Sequence, residues 1–274
     1  VPRPYLFHPG IGEAAGAWYV EPVGLDRVLL AQERPYAQWL EVEDIRAMVH
    51  PVRRFSHKGD RGHALLIAGS TGMHGAAVLA TGGCARSGVG LFTVHAPMEA
   101  LQALGTCWPD AMTCPDHGPA SLRSWVDGNR ATALGIGPGL GATERADTLL
   151  NEVIACWNGP LVLDADALNG LARHPDWLRR LPPITILTPH PKEMDRLLGM
   201  SSPDPEARFQ RTRSFAHEHR CHVLLKGAFS VICTPDGEAI FNSTGNAGMA
   251  KGGTGDVLTG LLTGLLAQGY TARE

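Results

Sequence analysis

The stretch Asn246-Ala-Gly-Met-Ala-Lys-Gly-Gly-Thr-Gly-Asp256, followed by Val257-Leu-Thr-Gly-Leu-Leu-Thr-Gly-Leu-Leu266, joins a glycine-rich turn to an apolar run. A glycine-rich turn that opens a helix collects backbone N–H groups at the positive end of the helix dipole, about half an elementary charge, and suits a phosphate. The apolar residues recur at helical spacing, which predicts a helix with one buried face formed by Val257, Leu258, Leu261, Leu262, Leu265 and Leu266.

Asp256 is unexpected in such a turn, because a carboxylate repels a phosphate. Its presence makes sense if it accepts a proton from a group that attacks the phosphorus. The alternative is an ordinary acid in the first turn of a helix, after a flexible loop, since aspartate is common at that position. The stretch alone leaves both interpretations open.

Composition limits the class of protein. The 274 residues include 44% hydrophobic and 19% charged side chains, which indicates one large globular α/β domain. A formal net charge of −3 gives no global attraction to nucleic acid or an anionic membrane, so any phosphate binding is local. The six cysteines form no CxxC pair, which favours thiols in a reducing cytosol. Without a run of about 18 apolar residues or a targeting segment, we expect a cytoplasmic protein.

Residues 1–50 mix prolines and glycines and differ in pattern from the rest of the chain. We interpret them as a tail or linker that packs on the main body, in which Val20, Val23, Val28, Leu29 and Leu30 could form short strands.

From Arg53 onward, short apolar runs alternate with helical periods, which predicts a three-layer αβα fold with a mostly parallel central sheet and helices on both faces. The predicted strands are Ala64–Ala68, Leu91–His95, Ala131–Ile136, Leu161–Asp164, Ile184–Thr188, His222–Lys226, Ser230–Thr234 and Ala239–Asn242. The predicted helices are Ala76–Arg86, Met98–Leu104, Thr143–Trp157, Ala167–Arg173, Lys192–Leu198 and Pro205–His219. Pro235-Asp236-Gly237 predicts a hairpin turn between the last two strands, which are therefore antiparallel.

Ligands of open α/β sheets bind beyond the carboxyl ends of the strands, and small or polar residues follow several strands here. Gly69-Ser-Thr-Gly-Met-His-Gly-Ala-Ala77 would let a ligand approach the backbone, although an ordinary turn is an equally good interpretation. Gly137-Pro-Gly-Leu-Gly-Ala142 fits G-x-G-x-x-A, but Pro138 stiffens the turn and two carboxylates follow the next strand, so a dinucleotide-binding fingerprint is weakly supported.

Three further side chains stand at strand ends. His190 lies between two prolines and could hydrogen-bond a polar ligand, and Glu193 falls on the first turn of the next helix. Lys226 could reach a phosphate oxygen as a mobile point charge, or could simply be a solvated strand end. The cluster His217-Glu-His-Arg-Cys-His222 has the residue types of a zinc site but a poor spacing for one.

Seven separated motifs, taken in order, resemble those of the NAD(P)H-hydrate dehydratases, a family of the ribokinase-like superfamily. The resemblance covers about residues 53–270 and is specific because all seven agree, whereas Gly-Thr-Gly-Asp alone is typical of any ribokinase-like kinase. The motifs are His57-Lys-Gly-Asp-Arg-Gly62, Ala68-Gly-Ser70 with Gly75-Ala-Ala77, Gly135-Ile-Gly-Pro-Gly139, Asp164-Ala-Asp-Ala-Leu-Asn169, Thr188-Pro-His-Pro-Lys-Glu193, Leu225-Lys-Gly227, and Asn242-Ser-Thr-Gly-Asn246 through Gly253-Thr-Gly-Asp256.

The resemblance implies a repair reaction, in which hydrated NADH or NADPH is dehydrated while ADP, or ATP, is consumed. It implies that the hydrate contacts Ala76 or Ala77, Gly139, His190 and Asp256, the last as the catalytic base. The implied nucleotide site comprises Lys226, Gly227, Ala228, Phe229, Ser230, Asn246, Gly253, Thr254 and Gly255. Magnesium would be held mainly through phosphates and water, with Glu193 and Asp166 as outer ligands.

The resemblance also suggests a domain division. Residues 7–30 look like the end of the epimerase domain that precedes the dehydratase in bifunctional members. We therefore expect residues 1–50 to be the tail of an epimerase-like domain plus a linker, and residues 51–274 to be the nucleotide-dependent dehydratase domain. Because relatives continue with further helices beyond the position of Glu274, we expect that domain to be truncated at its C-terminus.

Two other functions fit part of the sequence. A small-molecule kinase of the same superfamily would use Asp256 and the glycine loop identically, but Thr188-Pro-His-Pro191 and Gly135-Ile-Gly-Pro-Gly139 argue against it. A catalytically silent nucleotide-binding module is the second alternative. The sequence leaves open ADP against ATP, NADH hydrate against NADPH hydrate, and whether the chain forms a homo-oligomer.

Overall fold

The computed structural model describes residues 35–117 and 131–274, together with the separate positions 14, 24, 26 and 28. Ten strands form one sheet in the order β1-β10-β9-β8-β7-β6-β5-β2-β3-β4. The strands are β1 (Gln38–Leu40), β2 (His63–Ile67), β3 (Leu91–Ala96), β4 (Met112–Pro115), β5 (Ala133–Ile136), β6 (Leu161–Leu163), β7 (Thr185–Leu187), β8 (His222–Leu225), β9 (Val231–Cys233) and β10 (Ala239–Asn242). Only β9 runs antiparallel to its neighbours.

Helices lie between most of these strands along the chain, but none lies between β8, β9 and β10, a part of the chain that the structure describes throughout. In the described residues they are α1 (Val42–Met48), α2 (His74–Arg86), α3 (Met98–Cys107), α4 (Glu144–Cys156), α5 (Ala165–Arg173), α6 (Pro191–Leu197), α7 (Pro205–Glu218) and α8 (Thr254–Ala267). Short 3-10 turns lie at Lys58–Arg61, Pro175–Arg180 and Ala247–Met249.

The core lies on both faces of the sheet, because alternate residues of each strand point to opposite sides. In β2, Leu65 and Ile67 pack in a cluster with apolar residues of α4, α5, α6 and α7. Ala64 and Leu66 pack on the other side with residues of α2, α3 and the end of α8. The expected three-layer αβα architecture with a mostly parallel sheet is therefore confirmed.

The eight predicted strands are all present, with bounds that differ by a few residues at most. The antiparallel pair is also confirmed, because β9 and β10 are joined at Gly237, whose φ of +79° suits glycine in a turn. The sequence did not predict β4 or the edge strand β1, which pairs in parallel with β10. The expectation that residues before position 50 pack on the main body is confirmed for this strand.

Short strands were expected in the N-terminal segment. Four of the five residues named for them lie outside the described residues, namely Val20, Val23, Leu29 and Leu30. Val28 is described and is helical, so the strand prediction is wrong at that position. The division of the chain at residue 51 stays a prediction.

The buried face of α8 differs from the one expected. Val257 is 38% exposed and Leu261 is 37% exposed. The buried residues of the helix are Thr259, Gly260, Thr263, Gly264, Leu266 and Ala267. The apolar spacing predicted the helix correctly. Its inner face is confirmed at Leu266, which is 4% exposed, and wrong at Val257 and Leu261. The physical reason is close packing against α2, since a Cβ at position 260 would overlap the carbonyl oxygen of Ala80.

Candidate active site

The candidate site lies at one edge of the sheet. Because β2, β5, β6, β7 and β8 run in parallel, the loops that follow them meet at their common carboxyl end. These loops carry most of the predicted site residues, and α8 begins at the same edge, since Gly255 lies next to Asp164 and Lys226. The fold therefore brings the predicted hydrate and nucleotide residues together.

The glycine loop enters α8 through a left-handed residue. Gly253 has φ of +92°, and a Cβ there would lie 2.5 Å from Cδ1 of Leu79. Among the residues that the structure describes, no side chain caps the helix. The hydroxyl of Thr254 instead donates to the carbonyl oxygens of Met249 (2.9 Å) and Lys251 (2.8 Å), which holds the loop closed. The first N–H groups of α8 are thus left to a ligand, as an anion site requires.

Asp256 is the third residue of this helix and is half-buried. Burial and the nearby charge of Asp164 raise the pKa of its carboxyl from 3.8 to about 6, against the opposing effect of Lys226. Among the described residues, none donates a hydrogen bond to its carboxylate. A free carboxylate with a pKa near neutrality has the properties of a general base.

Asp164 lies near enough to Asp256 for its charge to raise the pKa of that carboxyl, and it is almost completely buried, with 1% exposure. Its Oδ1 accepts a hydrogen bond from Nζ of Lys226 (2.8 Å) and its Oδ2 accepts one from the hydroxyl of Thr259 (2.8 Å). The next residue, Ala165, has φ of +47°, a conformation that is rare for a non-glycine residue and is found at functional sites. Asp164 therefore ties the ends of β6 and β8 to the first turns of α8.

The Lys226 side chain is fixed by this contact. It is 23% exposed, and its Nζ also lies 3.8 Å from Oε2 of Glu193. Of the two interpretations of Lys226, the solvated strand end is wrong, because two carboxylates orient the ammonium. Contact with a phosphate oxygen stays a prediction, for a side chain that is held rather than mobile. The remainder of the predicted nucleotide segment, Gly227 to Ser230, forms a turn in which the Ser230 hydroxyl lies 3.3 Å from both the amide nitrogen and the carbonyl oxygen of Gly227.

Two more predicted nucleotide residues can be placed. Phe229 packs against Trp39 of the edge strand, with ring centroids 5.7 Å apart. Asn246 is exposed and caps the short 3-10 turn through a 2.7 Å hydrogen bond from the amide of Gly248. Both lie on segments that flank the loop before α8.

Gly139 and Ala76 come together on the predicted hydrate side. Gly139 has φ of +65°, and a Cβ there would lie 2.7 Å from Cβ of Ala76 and 2.9 Å from the carbonyl oxygen of Met73. Ala77 has no exposed surface and lies behind Gly69 in the core. Of the two alternatives for this contact, the structure leaves Ala76 the more accessible.

His190 begins α6. Its Nδ1 accepts hydrogen bonds from the amides of Lys192 (3.1 Å) and Glu193 (3.3 Å), while its own amide donates to Oε2 of Glu193 (2.7 Å). This reciprocal capping fixes the imidazole and orients the buried Glu193 carboxylate. The His190 side chain is 44% exposed, so its ring remains accessible from the edge of the sheet.

The residues predicted to hold magnesium already have protein partners. Besides the contacts of Glu193, Oδ2 of Asp166 accepts a 2.7 Å hydrogen bond from the amide of Gly141. Within residues 35–117 and 131–274, no group of three or more His, Cys, Asp or Glu side chains could hold a metal ion. The chain therefore offers no complete metal cage there, and the outer-ligand role of the two carboxylates stays a prediction.

Two other findings concern a membrane span and the histidine cluster that was considered for zinc. In the part of the chain that the structure describes, no helix has the length and apolarity needed to cross a membrane. His217, from the cluster considered for zinc, has Nδ1 2.8 Å from the carbonyl oxygen of Pro235 in the hairpin turn.

Sequence reasoning missed the structural role of Asp164 and Thr259. In the sequence, Asp164 is only an acid at the end of a predicted strand, and Thr259 lies within an apolar run. A threonine one turn after Asp256, on the face that the small residues form, is the signal that could have found the second of these.

This three-layer fold, with an acid at the tip of a glycine loop and helix, defines a ribokinase-like protein. The profile of the NAD(P)H-hydrate dehydratase family matches residues 64–274. An ADP-dependent (S)-NAD(P)H-hydrate dehydratase from Bacillus subtilis is 36% identical over 229 residues, 83% of this chain and 80% of the relative. The chain therefore belongs to the NAD(P)H-hydrate dehydratase family.

Solved structures and longer relatives agree. A crystal structure of the Bacillus subtilis ADP/ATP-dependent NAD(P)H-hydrate dehydratase, co-crystallised with ATP and Mg²⁺, superposes with a TM-score of 0.74 at 34% identity, covering 85% of this chain and 82% of that one. The bifunctional NAD(P)H-hydrate repair enzyme of Moorella thermoacetica is 35% identical over 273 residues, 96% of this chain. The chain spans about half the length of this relative, 51%.

Proposed function

We propose that this chain dehydrates (S)-NAD(P)H hydrate to NAD(P)H in a reaction that consumes ADP or ATP. The observation that carries the proposal is the Asp256 carboxylate, unpaired among the described residues and with its pKa raised to about 6, directly beside uncapped N–H groups of α8. Membership of the family supports the choice of substrate, and the geometry of the site supports the mechanism.

The reaction begins with proton transfer. The hydrate carries a hydroxyl on the ring carbon next to the nitrogen, and hydroxide is a poor leaving group. Asp256 takes the hydroxyl proton while that oxygen attacks the terminal phosphorus of the nucleotide, whose bond to the bridging oxygen breaks. With ADP the products of this step are AMP and a phosphate ester of the hydrate.

Elimination completes the reaction. The ring nitrogen lone pair expels phosphate, and a proton leaves the adjacent ring carbon to restore the dihydropyridine. The N–H groups of Gly253, Thr254 and Gly255 stabilise charge on the transferring phosphoryl group, as preorganised backbone donors do in other acyl and phosphoryl transfers. The net change converts hydrate and ADP to NAD(P)H, AMP, phosphate and a proton.

The two ligands lie on opposite sides of Asp256 in this proposal. The hydrate contacts Ala76, Gly139 and His190, where the absence of a side chain at Gly139 provides space. The nucleotide lies along Lys226 to Ser230 and the glycine loop from Asn246 to Gly255. Magnesium would be held mainly through the nucleotide phosphates and water, with Glu193 and Asp166 as outer ligands, and it would neutralise phosphate charge.

A single spectroscopic experiment tests the proposal. Hydrate prepared from NADH or NADPH lacks the absorbance of the reduced nicotinamide, so recovery of that absorbance reports dehydration. We expect recovery with ADP or ATP, together with equimolar phosphate release, and none without a nucleotide. Nucleotide consumption without recovery, accompanied by a stable phosphate ester of an added alcohol, would indicate a kinase instead.

The domain division is part of the proposal. We propose that residues 1–50 are the tail of an epimerase-like domain plus a linker, and that 51–274 form the dehydratase domain. The half-length match to bifunctional relatives supports this division.

A further inference from the structure

The Lys226 ammonium occupies the space between two buried carboxylates at the candidate site. Its Nζ lies 2.8 Å from Oδ1 of Asp164 and 3.8 Å from Oε2 of Glu193. Asp164 is 1% exposed and Glu193 is 6% exposed. Buried carboxylates require a cationic partner, and here a lysine supplies it.

A divalent metal bound by the protein would need this same space. Magnesium prefers carboxylate oxygens and water, and Asp164 and Glu193 are the two most buried carboxylates at this edge of the sheet. The ammonium already hydrogen-bonds one of them and lies near the other. A metal could reach both only after Lys226 moved away, which would cost the 2.8 Å ion pair.

We propose, resting on the function proposed above, that Lys226 takes the place of a protein-bound divalent cation at this site and neutralises the transferring phosphoryl group. Asp164 and Glu193 are then positioning residues, which hold the ammonium rather than a metal. Any magnesium in the reaction arrives with the nucleotide and is bound to phosphate and water.

The position of Nζ relative to α8 supports this role. A methyl group at Gly255 would lie 3.5 Å from Nζ, so the ammonium stands beside the N-terminal turn of the helix that would receive the phosphate. A lysine ammonium has three donors, and Asp164 is its only hydrogen-bond acceptor among the described residues. Donors therefore remain for a phosphate oxygen.

Metal binding by the nucleotide-free protein tests the proposal without any hydrate. Mn²⁺ is titrated and followed by electron paramagnetic resonance, with thermal unfolding measured in parallel. We expect the unchanged protein to show no site at micromolar Mn²⁺. Lys226→Met leaves Asp164 and Glu193 facing an empty space, so we expect this variant to gain a Mn²⁺ site. It should bind Mn²⁺ at least about tenfold more tightly than the unchanged protein does, and its Tm should rise when Mn²⁺ is added.

Three variants serve as controls. Lys192→Met removes a neighbouring exposed lysine and should gain no site. Lys226→Arg keeps a cation and should also gain none. Lys226→Met combined with Asp164→Asn removes one carboxylate charge and should abolish the gain. If Lys226→Met folds only when Mn²⁺ is present, refolding as a function of Mn²⁺ concentration gives the same readout.

Two results would overturn the proposal. One is a Mn²⁺ site in the unchanged, nucleotide-free protein that disappears in Glu193→Gln. The other is a folded Lys226→Met variant that gains no Mn²⁺ binding. Neither result depends on dehydration, so a protein that fails to convert hydrate would contradict the proposed function while leaving this metal-binding experiment interpretable.

Discussion

At the scale of single residues, the decisive feature is a carboxylate kept where its charge is disfavoured. Asp256 is half-buried beside Asp164, and its pKa is raised to about 6. We expect Asp256→Asn to lower turnover by about a hundred-fold or more, because the amide cannot accept the proton. Calorimetry should show ADP affinity changed by less than about threefold. Near-normal turnover would contradict the assigned role, and an equal loss of ADP affinity would make Asp256 structural.

The raised pKa of Asp256 also predicts how the stability of the protein changes with pH. The pKa of the Asp256 carboxyl is about 6 in the folded state, against its ordinary value of 3.8, which applies to the unfolded chain. Between these two pH values the folded protein binds more protons than the unfolded chain, so the free energy of unfolding falls as pH rises through them. Above pH 7 the ionised carboxylate costs about 1–2 kcal/mol, after allowance for its partial exposure. Asp256→Asn should therefore be more stable than the unchanged protein at pH 8 and equally stable at pH 4, measured by urea unfolding.

His190 requires a substitution that respects its second role. His190→Ala would also remove the Nδ1 acceptor that caps α6, which costs about 1 kcal/mol of stability. His190→Asn keeps an acceptor there and removes the remainder of the imidazole. We expect NADPH, tested as a competitor of the hydrate, to bind about 5- to 150-fold more weakly, the equivalent of about 1–3 kcal/mol, with ADP affinity unchanged. Weakened binding of both ligands would indicate a displaced helix.

At the scale of elements, a substitution in the glycine loop should weaken nucleotide binding without lowering the stability of the protein. A methyl group at Gly255 would meet Asp164 and Lys226 at 3.5 Å, an ordinary contact, and the backbone there is helical. We expect Gly255→Ala to leave the Tm within about 2 °C while weakening ADP binding, because the added methyl group obstructs approach of the phosphate to the N–H groups. Unchanged ADP affinity would place the phosphate elsewhere.

Close packing of α2 and α8 depends on a different glycine. A Cβ at Gly260 would overlap the Ala80 carbonyl oxygen, so Gly260→Ala should destabilise the protein by about 1–3 kcal/mol. Gly105 of α3 has nothing within 4 Å of its added Cβ, and Gly105→Ala should stabilise by about 0.5–1 kcal/mol. Urea unfolding of the two variants compares the same substitution in two helices. Equal effects would show that backbone entropy, not packing, determines the outcome.

The sequence predicted elements whose signal is local. Apolar runs marked eight strands, and Pro235-Asp236-Gly237 marked the hairpin. The missed strands have little local signal: β1 has three residues and is fixed by pairing with β10, about 200 residues later in the chain, and β4 ends in a proline. The inner face of α8 was predicted correctly at Leu266 and wrongly at Val257 and Leu261, because tight helix contacts favour small residues over large apolar ones.

The same distinction applies to the site. Glycine turns and strand-end polar residues predicted which loops meet, since parallel strands place their carboxyl ends together. The partners of each side chain could not be predicted in this way. Lys226 and Asp164 are 62 residues apart and Thr259 is 95 residues from Asp164, so their hydrogen bonds depend on the register of three elements.

At the scale of the whole molecule, the edge strand β1 connects the N-terminal segment to the nucleotide side of the site. Trp39 of β1 packs on Phe229, with ring centroids 5.7 Å apart, and Ser243 donates a 2.8 Å hydrogen bond to the carbonyl oxygen of Leu40. Removing the Trp39 ring leaves Phe229 without this contact, and aromatic pairs contribute about 0.5–1.5 kcal/mol beyond their buried area. The turn from Gly227 to Ser230 should then lose its fixed position.

We therefore expect Trp39→Ala to weaken ADP binding about threefold to tenfold, the equivalent of an aromatic contact, and to lower the Tm. Trp39→Phe keeps a ring opposite Phe229 and should retain most of the affinity. NADPH competition should be unchanged in both, because the hydrate residues Gly139 and His190 belong to other loops. If Trp39→Ala lowered the Tm with ADP affinity intact, β1 would contribute to the sheet alone, and the nucleotide would bind without support from the N-terminal segment.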